Sequence, residues 1–287
     1  MKYALCNEMF DNWSIENQIQ AIASWGYDGV ELAPFSLDPS FVSGNTPTME
    51  LSRLDSSIKQ RVLTATKDYG IQTSGLHWIL AKTSGYSLTS DDSQVRARTA
   101  EYLGQLAELC AELGGSYMVF GSPQQRHILK GQNRKEAIDN AAHTIDLVAP
   151  TLEQTGVYLA LEALAPTETN FLNDAEETIG FIKRLTDSKW VTLHLDCKAM
   201  YCGEYRPIED VLRYAASEIK MVSFHANDPN LQGPGFGRLD FTSIMQVLQE
   251  IGFDGWIAVE PFDYSPGVVP LGRKSIEYLK TVVATTK

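Results

Sequence analysis

Cysteine is scarce: the 287 residues hold only Cys6, Cys110, Cys197 and Cys202. That usage excludes a disulfide framework and points to a reducing compartment. Positive charge is in deficit, with 24 Lys+Arg against 36 Asp+Glu and a net charge of −12. Nucleic acid and anionic membrane surfaces both demand a basic face, so neither is an expected partner, although a local basic pocket stays open. No run approaches the ~18 apolar residues of a membrane-spanning helix. Near the start, Glu8 and Asp11-Asn12 interrupt any signal-peptide apolar region. A soluble cytoplasmic protein is therefore expected. Glycine is missing where a doubly wound open sheet would use it, because the turn after the first strand-like run reads Asn7-Glu8-Met9-Phe10. Linkers, charge blocks and low-complexity segments are also missing.

What is present is a regular alternation. Apolar residues make up 44% of the chain, enough for a large core. Short apolar runs at 3–6, 29–32, 71–76, 116–120, 157–161, 190–195, 220–224 and 256–259 read as strands. Longer amphipathic stretches lie between them. Helices are expected at 14–25 (Ser14 as N-cap, Gly26 as C-cap), 48–69, up to 113, 134–154, 174–185, 207–216, 241–251 and 271–283. Residues 34–47 and 84–92 read as loops. Buried strands separated by helices imply a parallel sheet covered on both faces. Eight such units close naturally into a (β/α)8 TIM barrel, here expected as a single domain over residues 1–287. Gly26-Tyr27-Asp28-Gly29 and Gly252-Phe253-Asp254-Gly255 precede the second and eighth strands. This echo reads as turn chemistry used twice.

In such a barrel the site lies at the carboxyl ends of the strands. Strand two ends at Glu31 and strand three at His77. Strands five to eight end at Glu162, Asp196, His225 and Glu260, spaced 34, 29 and 35 residues apart. Neighbouring strands lie about 4.8 Å apart, so these four side chains would converge at the barrel mouth. Two carboxylates ~4 Å apart repel by about 4 kcal/mol at an effective dielectric of 20. Either their pKa values rise or a cation neutralises them. Three oxygen donors and one imidazole suit Mn²⁺, Mg²⁺ or Co²⁺, with Zn²⁺ also compatible. His194 shares the inner face with Asp196 and reads as a hydrogen-bonded core histidine. His77 either contacts substrate or packs beside Trp78. Glu31 either touches the bound molecule or stands behind the groups that do. His127 and His143 receive no role, and Cys197 and Cys202 read as packing residues rather than a zinc pair.

These strand ends resemble the metal ligands of the xylose isomerase-like TIM barrels. That superfamily includes sugar isomerases, ketose 3-epimerases, inosose dehydratases and endonuclease IV. The resemblance covers nearly the whole chain. It is carried by Leu161-Glu162-Ala163-Leu164, Leu195-Asp196-Cys197-Lys198-Ala199-Met200, His225-Ala226-Asn227-Asp228, the Gly233–Phe241 stretch and Val259-Glu260-Pro261-Phe262. Within the superfamily the chain looks most like the sugar phosphate isomerase/epimerase group. The resemblance implies a divalent metal held by Glu162, Asp196, His225 and Glu260, with Glu162 and Glu260 also serving as acid and base.

Two departures bear on substrate. Ketose 3-epimerases usually carry a His three residues after the metal Asp and an Arg six after the metal His. Here these positions are Ala199 and Leu231. A free ketohexose is therefore a poor expectation. A keto-sugar, an inositol derivative or a glycoside with an oxidised ring fits better. Lys198 stands beside the missing His, where it either takes a substrate oxygen or proton or is salt-bridged. Arg126, Arg206 and Arg238 either read a phosphate or carboxylate or pair with surface acids. Trp13, Phe35, Trp78 and Phe262 offer apolar walls for a sugar face. Few histidines and a net charge of −12 set endonuclease chemistry aside.

The implied mechanism is proton abstraction α to a carbonyl through a metal-stabilised enediolate. Epimerisation and aldose–ketose isomerisation share that step. So does dehydration by a lyase, which remains an alternative, as does a sugar-binding barrel without catalysis. The expected partner is a small carbohydrate, and the resemblance leaves a homo-oligomer open.

Overall fold

Strand β1 (Lys2–Cys6) has a parallel neighbour on each side, β2 (Gly29–Leu32) and β8 (Trp256–Val259). Between these follow β3 (Gln72–Leu76), β4 (Tyr117–Phe120), β5 (Tyr158–Glu162), β6 (Val191–Asp196) and β7 (Ser223–Ala226), paired in sequence order into a closed barrel. The closure is the (β/α)8 architecture that the alternating runs predict. This computed structural model describes residues 1–37, 51, 54 and 56–285.

The outer layer comprises α1 (Ile15–Trp25), α2 (Ser56–Tyr69), α3 (Ser93–Glu112), α4 (Pro123–Arg126), α5 (Arg134–Asp146), α6 (Ala149–Thr155), α7 (Ala175–Ile182), α8 (Cys197–Gly203), α9 (Ile208–Glu218), α10 (Phe241–Glu250) and α11 (Val268–Thr285). Among the described residues no helix is long and apolar enough to cross a membrane. Ser14 Oγ accepts from the Asn17 amide, and Gly26 ends α1 at a φ of 93°, as the cap residues predict. Gly252 repeats the left-handed exit after α10 at 66°. Tyr27 Oη donates to the Gly272 carbonyl at 2.8 Å and Lys280 Nζ to the Gly26 carbonyl at 2.6 Å, tying α11 to the end of α1.

Several boundaries differ from the expectation. The helix expected at 134–154 is two helices. Pro150 sits in the first turn of α6 and has no N–H for the Asp146 carbonyl, where α5 stops. The strand expected at 220–224 lies at Ser223–Ala226, because Phe224 and His225 pair with Leu195 and Asp196. His225 is thus inside β7 rather than just beyond it. The loop expected at 34–47 opens with a 3₁₀ turn at Pro34–Leu37, and its remainder lies outside the described residues. So do residues 48–50, 52, 53 and 55 of the helix expected at 48–69. The short helices α4 and α8, directly after β4 and β6, were not expected.

The register decides which residues face inward. Ala4 and Cys6 of β1, Tyr117 and Val119 of β4, and Trp256 and Ala258 of β8 fill the cylinder. Leu5, Met118, Phe120, Ile257 and Val259 instead join the core under the helices. Parallel partners share a face, and alternate residues of one strand return to it. Cys6 pairs with Glu31, so Glu31 points inward. Val119 pairs with Ala160, which carries Glu162 inward two residues on. Glu162 pairs with His194, Asp196 with His225, and His225 with Ala258. Glu260 follows Ala258 at the same parity.

Candidate active site

The inward parity gathers Glu31, Glu162, Asp196, His225 and Glu260 at the carboxyl ends of β2, β5, β6, β7 and β8, each under 10% exposed. Donor atoms of Asp196, His225 and Glu260 lie within 4.8 Å of one another, and so do those of Glu162, His194 and His225. The four residues expected to share an ion therefore form one cluster centred on His225. Its ring is gripped at both nitrogens, with Nδ1 2.8 Å from Glu260 Oε2 and Nε2 2.8 Å from Glu31 Oε1. Burial opposes a charge on the ring, yet Glu260 and Glu31 hold its pKa well above the usual histidine value.

Each carboxylate has its own support. Asp196 caps α8: Oδ1 accepts from the Ala199 amide at 2.7 Å and Oδ2 from Asn227 Nδ2. Asn227 Oδ1 accepts in turn from the Lys198 amide at 2.9 Å. Glu260 Oε1 accepts from Trp78 Nε1 at 2.7 Å, and Trp78 reaches it from a left-handed backbone with φ of 51°. An aromatic residue in that conformation is strained, a condition that clusters at functional sites. Glu162 lies against Gly121, where a Cβ would fall on Glu162 Oε2. Any residue but glycine there would displace the carboxylate.

The electrostatics test whether a cation fits. Burial first, then Asp196 and Glu260, push the Glu162 carboxyl up to about 8. Burial and Glu260 push Asp196 up to about 6. Glu260 is different: burial works to raise it, but His225 and His77 hold it below the ordinary value. Without an ion, therefore, the cluster cannot ionise all its carboxyls at neutral pH. A divalent ion among three oxygen donors and one imidazole supplies the missing charge, so this donor set fits one.

The remaining expected residues fall in different places. His77 is buried on the cavity wall, with Nε2 2.7 Å from Glu8 Oε2 and Nδ1 3.7 Å from Glu31 Oε1. Glu31 lies behind the cluster and also accepts from Tyr117 Oη. Lys198 lines the cavity but is paired, with Nζ 2.9 Å from Glu168 Oε1 and 5.0 Å from the Phe262 ring centre. Arg126 was expected to read a substrate anion; instead it is fully buried and absent from the cavity lining. Its guanidinium donates to the main-chain carbonyls of Phe120 and Glu162, the last residues of β4 and β5. Arg238 is exposed and does not line the cavity, and Arg206 stacks on Tyr214. His194 is the core histidine expected from its spacing: Nδ1 meets Ser223 Oγ at 2.7 Å, and burial holds its pKa well below the usual value. Sequence reasoning missed Glu8, Asn227 and Glu168. Glu8 had a signal, since it lies two residues beyond Cys6 at inner parity.

A cavity of about 670 Å³ opens above the cluster, with Trp78, Glu162, Glu260 and Phe262 on its walls. Fold and cluster together define a closed (β/α)8 barrel with buried carboxyls gathered beside a cavity at the carboxyl ends of its strands. The chain belongs to the xylose isomerase-like TIM barrel family, whose model matches residues 19–282. Among curated relatives, D-psicose 3-epimerase of Ruminiclostridium cellulolyticum is 26% identical over 255 residues, covering 88% of this chain and 79% of that one. Ketose 3-epimerase of Arthrobacter globiformis is 24% identical over 272 residues, covering 92% and 83%. L-ribulose 3-epimerase of Mesorhizobium japonicum is 30% identical over 176 residues, 61% of this chain and 58% of that enzyme. These relatives are isomerase-class enzymes. In structure, the 3-keto-D-glucoside 4-epimerase of E. coli superposes with a TM-score of 0.78 at 19% identity, covering 98% of this chain and 99% of that one. D-psicose 3-epimerase of Clostridium cellulolyticum H10, solved with D-tagatose, gives 0.77 at 20% identity, covering 100% and 98%. At such identities the two structures speak for the fold.

Proposed function

We propose that this chain is a divalent-metal-dependent sugar isomerase or epimerase working by proton abstraction α to a carbonyl. The observation that carries the reading is the placing of Glu162 and Glu260 on β5 and β8, either side of the Asp196–His225 pair, with both on the cavity wall. Glu162, Asp196, His225 and Glu260 would hold the ion, for which Mn²⁺, Co²⁺ and Mg²⁺ suit the donors best and Zn²⁺ is also accommodated. When bound, such an ion supplies Lewis acidity to the substrate carbonyl and stabilises negative charge on its oxygen.

The protein does the rest. One carboxylate removes the proton from carbon, and the other carboxyl returns one from the opposite side, which inverts or relocates the stereocentre. Trp78 fixes Glu260 through Oε1, and the main chain of Glu162 is braced by Arg126. Trp78 and Phe262 present apolar faces that suit the C–H side of a sugar ring and exclude water from the carbanion.

Incubation with keto- and aldo-sugars in D2O, followed by NMR, tests this. Carbon-bound deuterium is expected only after Mn²⁺, Co²⁺ or Mg²⁺ is added. Exchange that persists undiminished in Glu260→Gln would sink the two-carboxyl scheme.

A further inference from the structure

The geometry points to a second metal site beside the proposed one, a zinc centre held by Cys6, His77 and Glu260, with Glu260 spanning the two ions. Cys6 and His77 have no part in the acid–base scheme above, so the second site stands or falls separately from it.

The ligand set is the first observation. Donor atoms of Cys6, His77 and Glu260 lie within 4.8 Å of one another, and all three side chains are buried. They come from the ends of β1, β3 and β8, on the side of the barrel away from Glu162 and Asp196. Ligands about 2.0–2.3 Å from a tetrahedral ion stand roughly 3.4–3.6 Å apart, so the set closes on an ion with small side-chain movements. One thiol, one imidazole and one carboxyl differ from the oxygen-rich set on β5 to β8. A thiolate selects Zn²⁺ over Mn²⁺ or Mg²⁺, and three protein ligands leave a fourth position open.

The support behind the ligands is the second. His77 Nε2 lies 2.7 Å from Glu8 Oε2, while Nδ1 of this fully buried ring has no hydrogen-bond partner among the described residues. Glu31 Oε1 stands 3.7 Å from Nδ1, too far for a hydrogen bond. An imidazole gripped by a carboxylate at one nitrogen and bare at the other has the arrangement of a metal-ligating histidine. The same view gives Glu8, a buried acid that proton abstraction does not use, a reason to be there. Trp78 Nε1 steadies Glu260 in turn, 2.7 Å from Oε1.

Access is the third. His77 and Glu260 line the cavity, whereas Cys6 belongs to the side chains that fill the cylinder. An ion therefore has a way in from the cavity, with the sulfur beneath it and the open position toward the solvent side. One carboxylate can bridge two ions about 3.5–4 Å apart. Glu260 has the two ends this needs, Oε1 toward Trp78 and Oε2 toward His225.

The test strips the full chain with EDTA, reloads it with Zn²⁺, Mn²⁺ or Co²⁺, and removes unbound metal by gel filtration. Elemental analysis is expected to find two zinc ions per chain but one manganese. The Co²⁺-loaded protein is expected to show the near-ultraviolet absorption of a cobalt–thiolate bond. Cys6→Ser should lose that absorption and fall from two zincs to one, with manganese unchanged. His77→Gln should also fall to one zinc, and it guards against a Cys6 variant that fails to fold. Cys202→Ser alters the exposed cysteine and should change nothing. One zinc per chain in the wild type, no cobalt–thiolate absorption, or absorption that survives Cys6→Ser overturns the second site and leaves proton abstraction standing. Failure to bind any of the three metals overturns the metal-dependent reading as well.

Discussion

Glu31 Oε1 lies 2.8 Å from His225 Nε2, on the opposite side of the ring from Glu260. In the proposed metal-bound form Nδ1, on the Glu260 side, is the nitrogen that would face the ion. For Nδ1 to become a ligand it must shed its proton, while Nε2–H stays on Glu31 and fixes the tautomer. Glu31→Gln keeps the shape but removes the charge behind the ring. Calorimetric titration with Mn²⁺ is expected to show affinity lowered about 10- to 100-fold. Wild-type affinity in this variant would remove Glu31 from the role.

Glu162→Gln and Glu260→Gln each remove one member of the proposed acid–base pair. A drop of about 10²- to 10⁴-fold in kcat is expected from either. The two variants should also differ in which epimer still exchanges its proton with D2O, because each retains the base on one side only. Identical residual exchange from both epimers in both variants would contradict two-sided approach.

The raised carboxyls predict a pH dependence of stability. Glu162 titrates at about 8 in the ion-free fold against an ordinary 4.5, and Asp196 at about 6 against 3.8. A group whose folded pKa is raised stabilises the fold fully below its unfolded value, and the contribution is lost as pH rises through the folded one. The Tm of metal-free protein is therefore expected to fall as pH rises from about 4.5 to about 8, and Glu162→Gln should flatten the upper part of that slope. Divalent ions bind the deprotonated groups, so the stabilisation they confer grows over the same range. Scanning calorimetry with EDTA and with Mn²⁺ reads both effects.

Arg126 is expected to behave as a brace. Arg126→Met removes the guanidinium hydrogen bonds to the Phe120 and Glu162 carbonyls in a dry interior, at about 1–3 kcal/mol for each. Thermal denaturation should show a Tm lowered by several degrees. A variant as stable as the parent would show that water or another donor takes the place of the guanidinium.

Much of this site was readable from spacing alone, because alternation along a strand is a local property. Once Glu162, Asp196, His225 and Glu260 were read as strand ends, the barrel brought them together. Residues across the barrel from one another were harder. Glu31 on β2 meets His225 on β7, 194 positions away, and nothing local announces that pairing. Arg126 was misread because its partners are main-chain carbonyls, which leave no trace in residue type. Glu8 escaped because the apolar run of β1 ended at Cys6, and inner parity was not followed two residues further. Pro150 carried the signal for the break between α5 and α6, but the reading ran one helix through it from 134 to 154.

The pairing of β1 with β8 has a consequence for biosynthesis. Strand β1 lacks its second neighbour until Trp256–Val259 has been made, and α11 is not yet available to lock against the end of α1. Throughout translation the nascent chain carries an open sheet edge, the kind of surface that recruits chaperones and seeds aggregation. Truncations that remove β8 would leave that edge exposed permanently, and such fragments are expected to collect in inclusion bodies.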